Sequence, residues 1–343
     1  MDQSVPNLAR ILGSGVPPHA IGFYGRWWQL EDWLREVVYV ELRAKHGEGW
    51  TNHLEGHAPK RVASDEANAY MASADAGELL AYADVSDLFR LIEDQWELFS
   101  PLLPPRRRWE GTSDELRELR NRNAHCRRPH RDDLARIEQT LRDLEAGAWR
   151  FYSSYLDTRA VHKSRDPVAR AWLGRQHETA ARLLDHAERQ YDVRFRLGYS
   201  VRPWATAPDA NAISGSEGVL WHARWVIGGR DLNVAELWTE VARCPPVCEL
   251  LVHLLVDMGS VTATFAAVDD PANIADAIGD IFDDVLTTSR PSVLRVPIES
   301  PEEWANRWTR GAEHLPRRVQ VNSPLTLVDP LLPGAFSIFA ADS

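Results

Sequence analysis

The sequence predicts a two-part protein: an N-terminal all-α helical bundle followed by an α+β domain with a mostly antiparallel sheet. Three observations predict it. Apolar residues recur at helical spacing from about residue 23 to residue 150. Beyond about residue 190 the pattern changes to short apolar runs separated by glycine-rich and polar turns. A chain of 343 residues is also long enough to bury two cores. The expected divisions are an irregular leader over 1–20, the bundle over 21–160, a connecting helix over 161–190 and the α+β domain over 191–343.

The first bundle helix is expected over Phe23–His46. Trp27, Leu30, Leu34, Val38 and Leu42 form its stripe, and Trp33, Val37 and Val40 widen it, so it is buried on more than one side. Gly47 and Gly49 end it. A short helix is expected near Ala63–Ser73. A long one follows over Glu78–Phe99, with Val85, Leu88, Ile92, Trp96 and Phe99 inward, and Pro101, Pro104 and Pro105 stop it. Thr112-Ser113-Asp114-Glu115 reads as a capping box that opens a helix carrying Leu116 and Leu119 inward. After Pro129, Asp132 or Asp133 starts a last bundle helix with Leu134, Ile137, Leu141, Leu144 and Ala148 on one face. Asp166-Pro167 is a further helix start, proline at the first helical position, and that helix is expected to run to about Gln190. Strands are expected over Val193–Val201, Gly218–Ile227, Glu249–Val256 and Ser260–Val268, with helices over Val234–Arg243, Pro271–Thr287 and Glu302–Arg310. Trp221 and Trp225 share one side of their strand and are expected in the sheet core.

Charge is unevenly placed. The net charge is −11, and residues 201–343 hold 19 acidic against 10 basic side chains, so most of the excess is C-terminal. Residues 106–131 run the other way, with nine arginines against Glu110, Asp114, Glu115 and Glu118. Such a local basic patch matters more for nucleic acid than the global charge. The apolar run Val247–Val256 is too short for a membrane span and contains Glu249. No secretory leader is expected, and three cysteines fit a reducing cytoplasm better than a disulfide framework. Cys244 and Cys248 have no second pair at zinc spacing, and His53-Leu-Glu-Gly-His57 has its glutamate one place late for a zinc helix.

Within the basic stretch, Arg120-Asn-Arg-Asn-Ala-His125 carries the chemistry. Two other Arg…His pairs occur, but Arg170…His177 lies mid-helix in an amphipathic segment without an adjacent asparagine, and Arg307…His314 is interrupted by Gly311 and has no helical bundle around it. Asn121 and His125 are four apart and share a helix face; Arg120 lies roughly 140° around from His125. One helix therefore does not close the set on itself, whereas two copies across a twofold axis bring both arginines and both histidines to one cleft. Cleavage of RNA by its own 2′-hydroxyl needs a base, charge stabilisation on the phosphorane and a proton for the leaving 5′-oxygen. Histidine handles protons near neutral pH, and arginine matches phosphate oxygens with a charged planar fork. No metal or other cofactor is required, because the nucleophile belongs to the substrate.

Glu118-Leu-Arg-Asn-Arg-Asn-Ala-His125 resembles the signature of the HEPN superfamily, in which a polar residue, frequently Asn, often follows the arginine and a small residue commonly precedes the histidine. The likeness covers roughly residues 20–160 and is nearest to bacterial RNase toxins and phage-defence proteins. It implies a metal-independent endoribonuclease with Arg120 and His125 catalytic, Asn121 supporting, a composite active site in a homodimer formed through the bundle, and products with a 2′,3′-cyclic phosphate and a 5′-OH. Arg117, Arg122, Arg127 and Arg128 flank the motif and are expected to touch RNA. Some members carry a tyrosine two residues after the histidine that a partner enzyme modifies; Arg127 stands there in this chain. The alternative is an inactive HEPN-type dimer that binds RNA or protein, with the C-terminal domain as sensor. A regulatory or antitoxin partner at the acidic C-terminal domain is a further expectation.

Overall fold

The computed structural model describes residues 16–54, 58–68, 79–125, 127, 130–257, 259–291, 316 and 318–321. Helix α1 is Pro18–His46, followed by a 3-10 turn over Gly47–His53, α2 (Ala58–Ala67) and a second 3-10 turn over Leu79–Tyr82. Then come α3 (Val85–Asp94), the single turn α4 (Trp96–Phe99), α5 (Arg106–Ala124) and α6 (Asp133–Leu156). The remainder is β1 (Arg159–Ala160), α7 (Pro167–Trp172), α8 (Ala180–His186), a π-helical turn over Ala187–Tyr191, β2 (Arg194–Val201), β3 (Val219–Val226), β4 (Arg230–Leu232), α9 (Val234–Ala242), α10 (Pro245–Leu250), β5 (Leu251–Asp257), β6 (Ser260–Ala266), α11 (Pro271–Thr288), β7 (Ser289–Pro291) and β8 (Val319–Val321). A helical N-terminal region is thus followed by a region built on a mostly antiparallel sheet. Among the described residues no helix is long and apolar enough to cross a membrane.

Two compact units make up the chain, and both are discontinuous in sequence. One holds residues 16–38 and 83–149; the other holds residues 39–82 and 150–321. A single boundary near residue 160 does not describe this division.

In the first unit, α3 opens on Asp84, whose carboxylate accepts from the backbone N–H of Ser86 at 2.9 Å and of Asp87 at 3.0 Å, while the Asp87 carboxylate accepts from the backbone N–H of Asp84 at 3.3 Å. The long helix expected from Glu78 therefore starts seven residues later, at Val85 behind the Asp84 cap, and it is broken at Gln95. Helix α5 begins directly after Pro105, not at Thr112. The capping-box reading fails because Ser113 lies buried inside the helix, its hydroxyl donating back to the carbonyl of Glu110 at 3.0 Å and to Glu93 at 3.2 Å. Arg106, Arg107 and Arg108 form its first helical turn. Arg106 pairs with Glu110 at 3.1 Å and Arg108 with Asp143 at 2.6 Å. Trp109 is fully buried edge-on against Phe89, at 5.5 Å between centroids, and Leu116 and Leu119 follow it inward. Gly147 in α6 meets the backbone of Leu102 so closely that any side chain would collide with its carbonyl.

The second unit centres on a six-stranded sheet in the order β1-β2-β3-β6-β5-β8, antiparallel except for the β5–β8 pair; β4 and β7 form a separate ladder. One face of the sheet carries Phe195, Leu197, Trp221, Ala223, Trp225, Val261, Ala263 and Phe265. It packs on α11 through Ile278, Ile281, Phe282 and Val285, so Trp221 and Trp225 are core residues as expected. The helix expected over 161–190 is instead α7, α8 and the π turn, interrupted around Gly174 and Arg175, whose φ of 54° is left-handed. Its apolar residues Val168, Trp172, Ala180 and Leu183 join the core of this unit, so the segment is a folded part of it. Arg170 bonds Gln176, and His177 is stacked on Trp172 at 5.1 Å and paired with Asp276 at 2.8 Å. These two residues of the second Arg…His pair thus have structural partners. Arg307 and His314, the helix expected over Glu302–Arg310, and the leader up to residue 15 lie outside the described residues.

The opposite face of the sheet is polar and lies under the C-terminal turns of α1 and α6. Glu41 and Arg202 are both fully buried there. The carboxylate accepts Arg202 Nε at 3.1 Å and Nη2 at 2.6 Å, and accepts Trp204 Nε1 at 2.7 Å. The guanidinium sits over Phe151 at 4.7 Å. Removing one member of such a pair leaves an unpaired charge in a dry site. Glu41→Leu or Arg202→Met alone should each lower stability by about 3–5 kcal/mol. The double substitution should recover much of that loss in urea denaturation, and equal losses for the single and double variants would contradict the pairing.

Candidate active site

Arg120, Asn121 and His125 lie at the C-terminal end of α5. Leu116 and Leu119 anchor this end in the bundle core. The helix reaches Ala124, and His125 is the C-cap residue, its backbone N–H donating to Asn121 O at 3.2 Å. Asn121 and His125 are exposed and Arg120 is half-buried. Among the described residues no hydrogen bond or ion pair holds any of these three side chains. The backbone bond from His125 to Asn121 keeps the two residues one helical turn apart, with Arg120 adjacent to Asn121 in the last turns.

The flanking arginines divide into two groups. Arg122 Nη1 donates to both oxygens of Asp133, at 2.7 and 3.0 Å. Asp133 is buried at the start of α6, where its charge suits the helix N-terminus, and it also accepts the backbone N–H of His130 at 2.9 Å. Arg117 is held by Asp114 at 2.7 Å and Glu93 at 3.3 Å and lies over the Phe89 ring at 5.2 Å. Both cations are committed inside the bundle, which the sequence pattern did not reveal. Arg127 is exposed, with its backbone N–H on the carbonyl of Arg122 at 3.0 Å. Arg128 lies outside the described residues. The Arg122–Asp133 bridge ties the last turn of α5 to the start of α6.

Residues 28–146 match the family model of the Swt1-like HEPN domain. The helical region belongs to the HEPN superfamily. The match begins at Trp28 in α1, contains the whole of α5 with its motif, and ends at Ala146 in α6. No curated protein and no solved structure matches the chain. The α+β region lies outside the matched segment. HEPN domains are RNase-type domains that commonly dimerise and bind RNA.

A second group of polar side chains went unnoticed in the sequence. On the polar face of the sheet, Tyr155 Oη donates to Thr264 Oγ1 at 2.9 Å, and His253 Nδ1 lies 2.9 Å from the same phenol oxygen. Thr264 Oγ1 is 3.1 Å from His222 Nδ1, and His222 Nε2 is 2.7 Å from Ser200 Oγ. With Tyr155 donating to Thr264, the network assigns a proton to His253 Nδ1 and to His222 Nε2, and Thr264 donates to His222 Nδ1. Burial, then the nearby Arg202 guanidinium, then His253, push His222 down from the usual 6.5 to about 3.

The unfolded chain takes up this proton near pH 6.5, the folded chain only near pH 3. The stabilisation from neutral His222 is therefore complete above pH 6.5 and is lost as the pH falls from 6.5 towards 3. Stability should drop by about 1.4 kcal/mol per pH unit from this group across that window. His222→Gln should remove that part of the slope in denaturant titrations run at several pH values, and an unchanged slope would refute the assignment.

Proposed function

We propose that the protein is a metal-independent endoribonuclease, a toxin or defence effector acting as a homodimer through its HEPN bundle. The observation that carries this reading is the Arg120-Asn121-His125 group at a helix end inside a domain of an RNase-type superfamily, with Asn121 and His125 exposed and no side-chain partner for the three among the described residues, while Arg117 and Arg122 nearby are held in ion pairs. In the reaction, the 2′-oxygen forms a bond to phosphorus as the bond from phosphorus to the 5′-oxygen breaks. One imidazole accepts the 2′-hydroxyl proton and a protonated one supplies the 5′-oxygen, which is why two copies of His125 are needed. Arg120 clamps the non-bridging oxygens, and Asn121 orients the phosphate or the ring. Arg127 and Arg128 bind flanking phosphates. The cation of Arg122 serves its own helix junction first, so its proposed role in RNA binding is secondary, as is that of Arg117.

Tyr24 and Trp28 support a dimer on this part of the bundle. They are 63% and 61% exposed and lie one turn apart on α1. The same stretch of α1 packs against the start of α6, with Gly22 against Leu134 and Arg26 paired with Glu138 at 3.6 Å, next to the Arg122–Asp133 bridge. Large exposed aromatics beside a site that needs a second copy are suited to form its interface. The acidic surplus of the α+β region makes it the place for regulation or for a basic partner. The ion pairs of Arg117 and Arg122 favour one second reading, a HEPN-type dimer that binds without cutting, because they reduce the cationic surface left for substrate.

Purified protein should cleave RNA with EDTA present, leaving 2′,3′-cyclic phosphate ends, and Arg120→Ala and His125→Ala should each lose about 10²-fold or more. No cleavage by wild type, with RNA retained equally by both variants, would favour the binding module. Tyr24→Ser with Trp28→Ser should shift the dimer towards monomer in sedimentation and lower cleavage in parallel; a stable dimer in that double variant places the interface elsewhere.

A further inference from the structure

The polar face of the sheet encloses a cavity of about 350 Å³ lined by Tyr155, Thr158, Arg196, His222, Arg224 and Leu255, among others. All of these belong to the second compact unit. The volume is at the low end of the range for small-molecule pockets. Its floor and rim follow from strand register. Gly198, His222 and Thr264 are neighbours across β2, β3 and β6, and one step along the strands Arg196, Arg224, Thr262 and Leu255 form the next row. Gly198 leaves no room for a side chain, because Thr158 stands over it and closes that side.

Arg196 and Arg224 are directly opposite each other on the same face. Like charges in that position oppose strand pairing unless counter-charge is supplied. Asp257 lies 3.5 Å from Arg224, and Ser260 accepts from Arg224 Nε at 3.0 Å. Arg196 has no such partner among the described residues. The rim therefore carries one more positive charge than negative. Below it, the His222 ring uses both nitrogens within the fold, on Thr264 and Ser200, and so offers the cavity its carbon edge. Leu156 and Leu255 complete a mostly apolar interior.

We propose that this cavity is a binding site for a small phosphate monoester whose compact planar or apolar body seats against His222, Tyr155 and Leu255 and whose phosphate is held by Arg196 and Arg224. Two guanidinium forks at one rim match phosphate oxygens better than a single carboxylate requires. The ligand neutralises the cross-strand repulsion, so binding stabilises the unit that contains it. This site is independent of the nuclease reading.

The test is isothermal titration calorimetry on the full chain with phenyl phosphate as probe. One site per chain is expected. Affinity should fall at least tenfold in Arg196→Gln and in Arg224→Gln, disappear in Thr262→Phe, which fills the cavity, and stay unchanged in Arg182→Gln on the exposed face of α8. Arg196 is exposed, so Arg196→Gln keeps the fold and carries the test even if Thr262→Phe disturbs packing. No heat of binding, or wild-type affinity retained in Arg196→Gln and Arg224→Gln, overturns the site. Benzoate binding as tightly as phenyl phosphate overturns the phosphate assignment, and inorganic phosphate binding as tightly overturns the role of the apolar body.

Discussion

Glu41 and Arg202 form the contact on which the α+β region depends. Two full charges with no solvent exposure are tolerable only if nearly every hydrogen-bonding direction is filled. Here the carboxylate receives three donors from Arg202 and Trp204, and the guanidinium is faced by the Phe151 and Tyr155 rings. Helix α1, the end of β2, and helix α6 thus meet at one point in this unit. An apolar trio would bury as well, but it would not fix the direction of each group. The pair does, because a guanidinium fork matches a carboxylate in few orientations.

That fixed charge also governs what lies beside it. Burial first, and the charge of Arg202 after it, keep His222 neutral, and the ring serves as a hydrogen-bond link between Thr264 and Ser200. A neutral, fully committed ring then becomes a wall of the cavity instead of a proton donor within it. The same residues that order the sheet therefore decide what the cavity presents: carbon surface inside and guanidinium groups at the rim.

Much of this was legible in the residues themselves. The strands over 194–201, 219–226, 251–257 and 260–266 and the helix over 271–288 follow the alternation and helical spacing of the chain closely. The position of Arg120, Asn121 and His125 at a helix end also follows from the chain, because helical spacing is a local property. Where reading failed, a local pattern was overruled. Ser113 has the form of a cap, but its hydroxyl turns back to Glu110 inside a helix already begun at Arg106. Val168, Trp172, Ala180, Leu183 and Ala187 keep a helical rhythm across Gly174 and a left-handed Arg175, which break the helix. The pairing of Arg122 with Asp133 and the links of Tyr155 to His253 and Thr264 were not legible. They depend on how distant segments meet, and no periodicity records a partner 98 or 109 residues away.

The discontinuity of the two units has a consequence during synthesis. Residues 39–82 leave the ribosome early, yet they belong to the unit completed by residues 150–321. Glu41 precedes Arg202 by 161 residues. At ordinary translation speeds of about 5–20 residues per second, its carboxylate waits roughly ten to thirty seconds for its partner. Through that interval Tyr39 and Arg43 also lack the carbonyls of Val252 and Leu250 that they bond in the finished fold. The second unit can therefore close only late in translation. A ribosome that stops near residue 160 releases a chain that has made the described segments of the bundle but still carries an orphaned stretch of the other unit.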